Sequence, residues 1–250
     1  MSVKITCGLL LAFATKAWSQ YVVGAQSGTI QFTTGDVYVD QQAVRATPRK
    51  FPTLQTGQTL RTGRGRAEML LGQAVFLRLA PQSSVHMLSS RLEDTRLEVT
   101  DGKVLVEVVT LNKDGRIQIQ LGNTTSEFKH MGLHRFDVPP AEIRVFGGEA
   151  EVTAGGKKVD LTRGKSVLCD SDLLPRKFDL KTTDSLHEWS ARRSLVTFLA
   201  TPFHRALNWE ILFNGSAYNR DFERKYFLRG ASRAFIRNQV QDQQRQENQR

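Results

Sequence analysis

Between residues 27 and 168 apolar and polar positions alternate in short runs. Ile30 and Phe32 alternate, and Val37 and Val39 follow with the opposite parity. Further sets stand at Val75-Leu77-Leu79, Val104-Val106-Val108, Ile117-Ile119-Leu121 and Ile143-Val145. A period of two is the signature of strands with one buried face. The parity change falls at Gly35 and predicts a β-bulge that absorbs one extra residue there. Turn residues separate the runs at Thr62-Gly63, Leu71-Gly72, Asp101-Gly102, Asp114-Gly115, Gly147-Gly148 and Gly155-Gly156. Short strands punctuated by glycine turns predict an all-β domain over 27–170, an antiparallel twisted β-sandwich or roll.

After Pro175 the period lengthens. Ser185-Leu186-His187-Glu188 reads as a capping box, in which serine and glutamate satisfy each other's free backbone N–H groups. Leu186, Trp189, Val196 and Leu199 then recur at helical spacing until Pro202. Further helical stretches are expected at about 203–213 and from about Asp221, giving a helical C-terminal extension over 184–238. Gln239 to Arg250 is glutamine-rich with almost no apolar residue, and reads as a disordered polar tail.

The first nineteen residues have the plan of a secretory signal peptide: Lys4 in a short basic start, an uncharged apolar run from Ile5 to Ala14, and small residues at Ala17 and Ser19. Cleavage before Gln20 and a periplasmic or extracellular location are therefore expected. The ten-residue run is about half of the ~20 residues a spanning helix needs. Cys7 would leave with the signal, so Cys169 would be the sole thiol, excluding an internal disulfide and any cysteine-rich metal site.

The formal net charge of +10 becomes +8 once Lys4 and Lys16 are removed. A basic protein favours acidic partners, and export makes nucleic acid the least fitting of them. Lys225, Arg229, Arg233 and Arg237 recur every four residues and would line one helical face. They are the candidate partner-binding face, for an acidic protein or an anionic membrane surface. The other reading is a solvated row on a helix packed against the β-domain.

No constellation for catalysis stands out, and neither a cofactor nor a metal is expected. His130 and His134 have no cysteine or compact carboxylate set to complete a metal site. Gly63-Arg64-Gly65-Arg66 lacks the following Lys-Ser/Thr of a phosphate loop and reads as a basic hairpin turn. Glu93-Asp94 and Asp170/Asp172 sit in turn-like stretches. Glu149 and Glu151 share a strand face, as solvated carboxylates do.

Several motifs follow one another in a recognisable order. They are Leu54-x-x-Gly57-x-x-Leu60-x-Thr62-Gly63, Ala67 to Leu71, Val75-Phe76-Leu77-Arg78-Leu79 and Ser83-Ser84-Val85. Next come Leu97-Glu98-x-x-x-Gly102-Lys103-Val104 and Gly132-Leu133-His134-Arg135-Phe136-Asp137. Val145-Phe146-Gly147-Gly148-Glu149-Ala150-Glu151-Val152 and Leu161-x-x-Gly164-Lys165 close the series. In this succession the chain resembles the FecR domain family. Trp189-Ser190-x-Arg192-Arg193-Ser194 is similar to a segment that follows the domain in some bacterial members. The best-known members are transmembrane anti-sigma regulators, whose periplasmic FecR domain contacts the signalling domain of an outer-membrane transporter. This sequence is expected to carry an export signal where those proteins have a cytoplasmic helical domain and a membrane helix. The resemblance therefore implies an extracytoplasmic, non-enzymatic β-module that binds another envelope protein or senses a signal. A carbohydrate- or envelope-polymer-binding protein is the alternative, which predicts exposed aromatics on one β-face, with Phe76, Tyr38 and Trp189 as candidates. An enzyme of unrecognised type would need a deep pocket with converging ionisable groups.

Overall fold

The structure is a computed structural model and describes residues 27–200 apart from 112, 113 and 171, with only the backbone of 195–200. The expected signal peptide, the row Lys225, Arg229, Arg233 and Arg237, the second and third helical stretches and the polar tail lie outside the described residues.

The described chain forms sixteen strands and then one helix: β1 (Thr29–Thr34), β2 (Val37–Val39), β3 (Gln42–Ala43), β4 (Thr59–Thr62), β5 (Arg66–Gly72), β6 (Val75–Leu79), β7 (Ser84–Arg91), β8 (Asp94–Val108), β9 (Arg116–Leu121), β10 (Thr124–Phe128), β11 (Gly132–Val138), β12 (Glu142–Val145), β13 (Glu149–Ala154), β14 (Lys157–Thr162), β15 (Lys165–Leu168), β16 (Arg176–Lys177) and α1 (Ser185–Ala200). The fold is all-β, as the alternation predicts. Strands extend past residue 170 to β16, and α1 is the only helix among the described residues. It is not long and apolar enough to cross a membrane.

Two sheets share one strand. The first has the order β1-β5-β6-β8-β11-β12-β15-β16, and the second β3-β2-β4-β7-β8-β9-β10-β13-β14. The fifteen-residue β8 serves both. Its start pairs with β7 in the second sheet, and Lys103 to Val108 pair with β6 and β11 in the first. Asp101-Gly102, expected as a turn, is thus a bend inside a strand. Gly102 has φ +79°, and a Cβ there would stand 2.3 Å from the Gln82 carbonyl oxygen, so only glycine fits. The bend brings both ends of β8 to the β5–β6 turn: Val108 lies opposite Val75, and the Thr95 hydroxyl donates to the Leu71 carbonyl at 3.3 Å. β9 can therefore lie parallel to the start of β8 after a short connection. Every other pair is antiparallel, so the expectation of a wholly antiparallel fold is corrected at this one place.

The parity change at Gly35 is likewise a change of sheet. β1 belongs to the first sheet and β2 to the second, while the register shift in β1 lies between Ile30 and Phe32. The expected bulge at Gly35 is not there. Its Cβ would meet the Gly65 Cα at 2.9 Å, and a Cβ on Gly65 would meet the Thr34 carbonyl oxygen at 2.1 Å. Gly63-Arg64-Gly65 is the matching corner from β4 to β5, again between sheets, rather than a hairpin turn.

The inner faces make one core. Leu60, Val85, Leu97, Ile119 and Val152 of the second sheet meet Met69, Leu77, Val106, Phe136 and Ile143 of the first. Burying each such side chain stabilises the fold by about 1.5–3 kcal/mol. The outer face of the first sheet is covered too. All five residues of β6 are buried, because Leu186, Trp189 and Ala191 of α1 pack with Ala80, Leu105, Leu133 and Phe146 in a second apolar cluster.

Candidate functional site

The outer face of the first sheet sets the charged residues Glu68, Arg78, Glu107, Arg135 and Asp137 among apolar ones such as Leu105 and Leu133. Pleating puts Glu68 of β5 opposite Arg78 of β6, Arg78 opposite Leu105 of β8, and Leu105 opposite Arg135 of β11. The helix closes over this face, and its hydroxyl and guanidinium groups complete the charges beneath it.

Arg78 is the hub, with a fully buried side chain. Its Nε donates to Glu68 Oε2 at 2.7 Å, and its Nη1 donates to Glu107 Oε2 and to Ser190 Oγ, both at 2.6 Å. From the helix, Arg193 Nη2 donates to the other Glu68 oxygen at 2.7 Å, and the Ser194 hydroxyl donates to Glu107. The Arg193 guanidinium also lies 4.2 Å from the centre of the Phe32 ring. Burial pushes the Glu68 carboxyl up, but Arg78 and Arg193 outweigh it and hold it below the usual carboxylate range.

A second group fixes the start of the helix. Arg135 Nε donates to both oxygens of Asp137 at 2.9 Å, and its Nη2 donates to Asp184 Oδ2 at 2.8 Å. Asp184 Oδ1 accepts the backbone N–H groups of Leu186 and His187, while the Asp184 N–H donates to His187 Nδ1 at 3.3 Å. The capping box is therefore Asp184 with His187, one residue before the expected Ser185 with Glu188. Asp184 takes the role because its second oxygen is held by Arg135. Ser185 Oγ instead accepts from Arg66 at 3.3 Å, and Glu188 is exposed. Burial pushes the Asp184 carboxyl up, yet the hydrogen bonds from His187 and Arg135 hold it well below the ordinary range.

Chemically this arrangement is a seat. Glu68, Glu107, Asp137 and Asp184 each accept from at least one guanidinium or hydroxyl, and none projects into a cleft as a free acid or base. The segment Trp189-Ser190-x-Arg192-Arg193-Ser194 supplies the helix side of the seat.

No protein-family model matches the chain, and no curated protein matches it. Solved structures do match. One is a crystal structure described as a "putative anti-sigma factor" from Parabacteroides distasonis ATCC 8503, with TM-score 0.41 and 11% identity over 48% of this chain. The chain spans 60% of the length of that structure. A second crystal structure with the same description and source has TM-score 0.42 and 9% identity, covering 62% of this chain and 74% of its own.

The other residues singled out in the sequence are dispersed. His130 is exposed with its Nδ1 3.3 Å from Glu149, whereas His134 is fully buried between the sheets, its ring centre 4.7 Å from that of Phe128. The two therefore do not share a face, and His134 is a core residue rather than a surface or turn histidine. Among the described residues no group of three or more His, Cys, Asp or Glu side chains could hold a metal ion. Glu93 accepts from Arg91, Asp94 from Arg116, and Asp170 Oδ1 from the backbone of Asp172 and Leu173. Glu151 lies beside Lys158 and Lys129. Phe76 and Trp189 are buried, at 8% and 6% exposure, and Arg61 covers the ring of Tyr38. These three aromatics do not form an open platform. Cys169 packs against the main core, and burial pushes its thiol up to about 11.

Sequence reasoning passed over Arg78, Glu68, Glu107 and Arg135. The signal available was a charge inside an apolar strand, as in Val75-Phe76-Leu77-Arg78-Leu79. Alternation alone assigns that charge to solvent.

Proposed function

We propose that this chain is an exported FecR-type module of the bacterial envelope that works by binding another protein, without catalysis. The observation that carries this reading is how the domain spends its charges. The ionisable groups buried on the first sheet neutralise one another and clamp α1, so they serve rigidity rather than proton transfer or nucleophilic attack. What is left for contact is the polar outer face of the second sheet and the open sides of the sandwich. Rigid frameworks with exposed strand edges suit protein recognition. The order of motifs from Leu54 to Lys165 and the signal-like first nineteen residues support the family and the compartment.

Fractionation of cells that express the protein natively, followed by crosslinking and mass analysis, tests the reading. Recovery from the envelope or periplasm, cleaved before Gln20 and joined to one discrete protein, is expected. An uncleaved cytoplasmic protein, or a periplasmic one with no protein neighbour under gentle crosslinking, would refute it.

A further inference from the structure

A strand at the end of a sheet presents a row of backbone N–H and C=O groups to its surroundings. Among the described residues four strands hold such positions: β1 and β16 in the first sheet, β3 and β14 in the second. β1 is covered, because Ile30 N–H donates to the Pro52 carbonyl, Leu54 N–H to the Gly28 carbonyl and Ala46 N–H to Thr33 Oγ1. β3 and β16 have two residues each. β14 has six, without proline, and Lys157, Lys158, Asp160 and Thr162 are exposed.

The direction of its free groups follows from its turn. Gly155-Gly156 joins β13 to β14, with Ala154 opposite Lys157 and an unbroken register to Glu149 opposite Thr162. In a hairpin with a two-residue turn, the flanking pair exchanges both hydrogen bonds, and pairing alternates from there. The backbone N–H and C=O groups of Lys158, Asp160 and Thr162 therefore point away from β13. Among the described residues no strand pairs with the far side of this ladder.

The charge is mixed along β14 itself and gathers as basic residues past its end. Lys157 is paired with Asp172 at 3.6 Å and Lys158 with Glu151 at 3.0 Å, whereas Arg163 of the turn, Lys165 of β15 and Arg176 and Lys177 of β16 follow one another past the end of the strand. Lys165 stands directly opposite Lys177 in the β15–β16 pair, an arrangement that costs free energy when uncompensated. The turn from β14 to β15 is only two residues long, so Lys165 follows closely on the Thr162 end of the free edge.

We propose that this side of the sandwich docks an extended, acidic segment of a partner protein, which adds to β14 as a strand and sets carboxylates in the field of Arg163, Lys165 and Lys177. The inference deepens the protein-binding reading and rests on it. A second copy of this chain is a poor occupant, because edge lysines repel their own kind. An acidic strand gains the backbone ladder and relieves the opposed lysines at once.

The test uses the mature full chain. A short synthetic peptide alternating Glu with Val is titrated against it, beside the same peptide with Lys for Glu and beside polygalacturonate, a polyanion that cannot form a β-ladder. The Glu-Val peptide should bind, weaken steeply as salt rises, and slow hydrogen exchange at the amides of Lys158, Asp160 and Thr162. The Lys peptide should not bind. Combined Lys165→Glu and Lys177→Glu should weaken binding many-fold, and Asp160→Pro should do the same by removing an outward N–H. Should Asp160→Pro fail to fold, the exchange protection in the unaltered chain reads the same bonds. No binding of the acidic peptide overturns the inference, as does binding without amide protection or equal retention of polygalacturonate. A partner captured from cells but crosslinked away from β14 to β16 would also overturn it, while leaving the broader reading standing.

Discussion

Between pH 6.5 and pH 5 the β-domain should lose stability because of one residue, His134. Its ring is fully buried on the inner face of β11, opposite Val106 of β8 and Val145 of β12 and against Phe128 of β10. Neither ring nitrogen has a hydrogen-bond partner. Desolvation alone pushes its pKa from 6.5 down to about 3. The unfolded chain therefore takes up a proton below pH 6.5 that the folded chain refuses until about pH 3, so the full contribution is present above pH 6.5 and shrinks as pH falls. At pH 5 the gap of one and a half pH units amounts to about 2 kcal/mol, at ~1.4 kcal/mol per unit. Carboxylates add little in this window, since in an unfolded chain they titrate nearer pH 4. Urea unfolding of the mature chain, followed by near-ultraviolet circular dichroism at pH 7.5, 6.5, 5.5 and 5, measures the loss. His134→Phe keeps a planar ring and has nothing to protonate. It should abolish the slope and be more stable than the parent at pH 7.5, because two unpaired buried nitrogens disappear. A parent midpoint that stays flat from pH 7.5 to 5 would refute the reasoning, and so would the same slope in the variant.

Arg78→Met should cost about 3–5 kcal/mol in urea unfolding, because it strips the buried Glu68 and Glu107 of their shared partner. Adding Glu107→Leu should recover part of that loss. Asp184→Ala should cost at least ~1 kcal/mol and speed hydrogen exchange through α1, whereas Ser185→Ala should stay within about 0.5 kcal/mol. The reverse order would return the cap to Ser185. Because the Asp184 carboxyl is held low, its share of stability is complete above about pH 4 and is lost as pH falls further. Gly102→Ala should destabilise by about 1–3 kcal/mol, since φ is +79° and the added Cβ has no room beside Gln82 and Ser83. Thermal unfolding checks it, with Gly122→Ala, where a Cβ meets nothing within 4 Å, as the milder comparison.

Much of this protein is local, and the local part was legible. Period-two runs such as Val104-Val106-Val108 and Ile117-Ile119-Leu121 mark strands because backbone pleating alone sends alternate side chains to one core. Seats for the helix were legible only as letters. Trp189-Ser190-x-Arg192-Arg193-Ser194 stood out as a motif, but nothing in it says that Ser190 meets Arg78 or that Arg193 meets Glu68. Those partners lie more than a hundred residues apart. Which sheet a strand joins was equally out of reach. Gly35, Gly65 and Gly102 look like ordinary turn or bulge glycines, yet each marks a place where the chain passes close to another backbone or bends from one sheet to the other. Burial of His134 follows the same logic, because its parity on β11 was set by a pairing register with β8 that no neighbouring residue encodes. The sequence by itself determined strand positions, the turn chemistry and the approximate start of the helix, through steric and periodic rules acting over a few residues. The tertiary structure alone decided the shared strand β8, the parallel β8–β9 pair, the buried charge seat and, among the described residues, the long open edge at β14, because each depends on which distant segments meet.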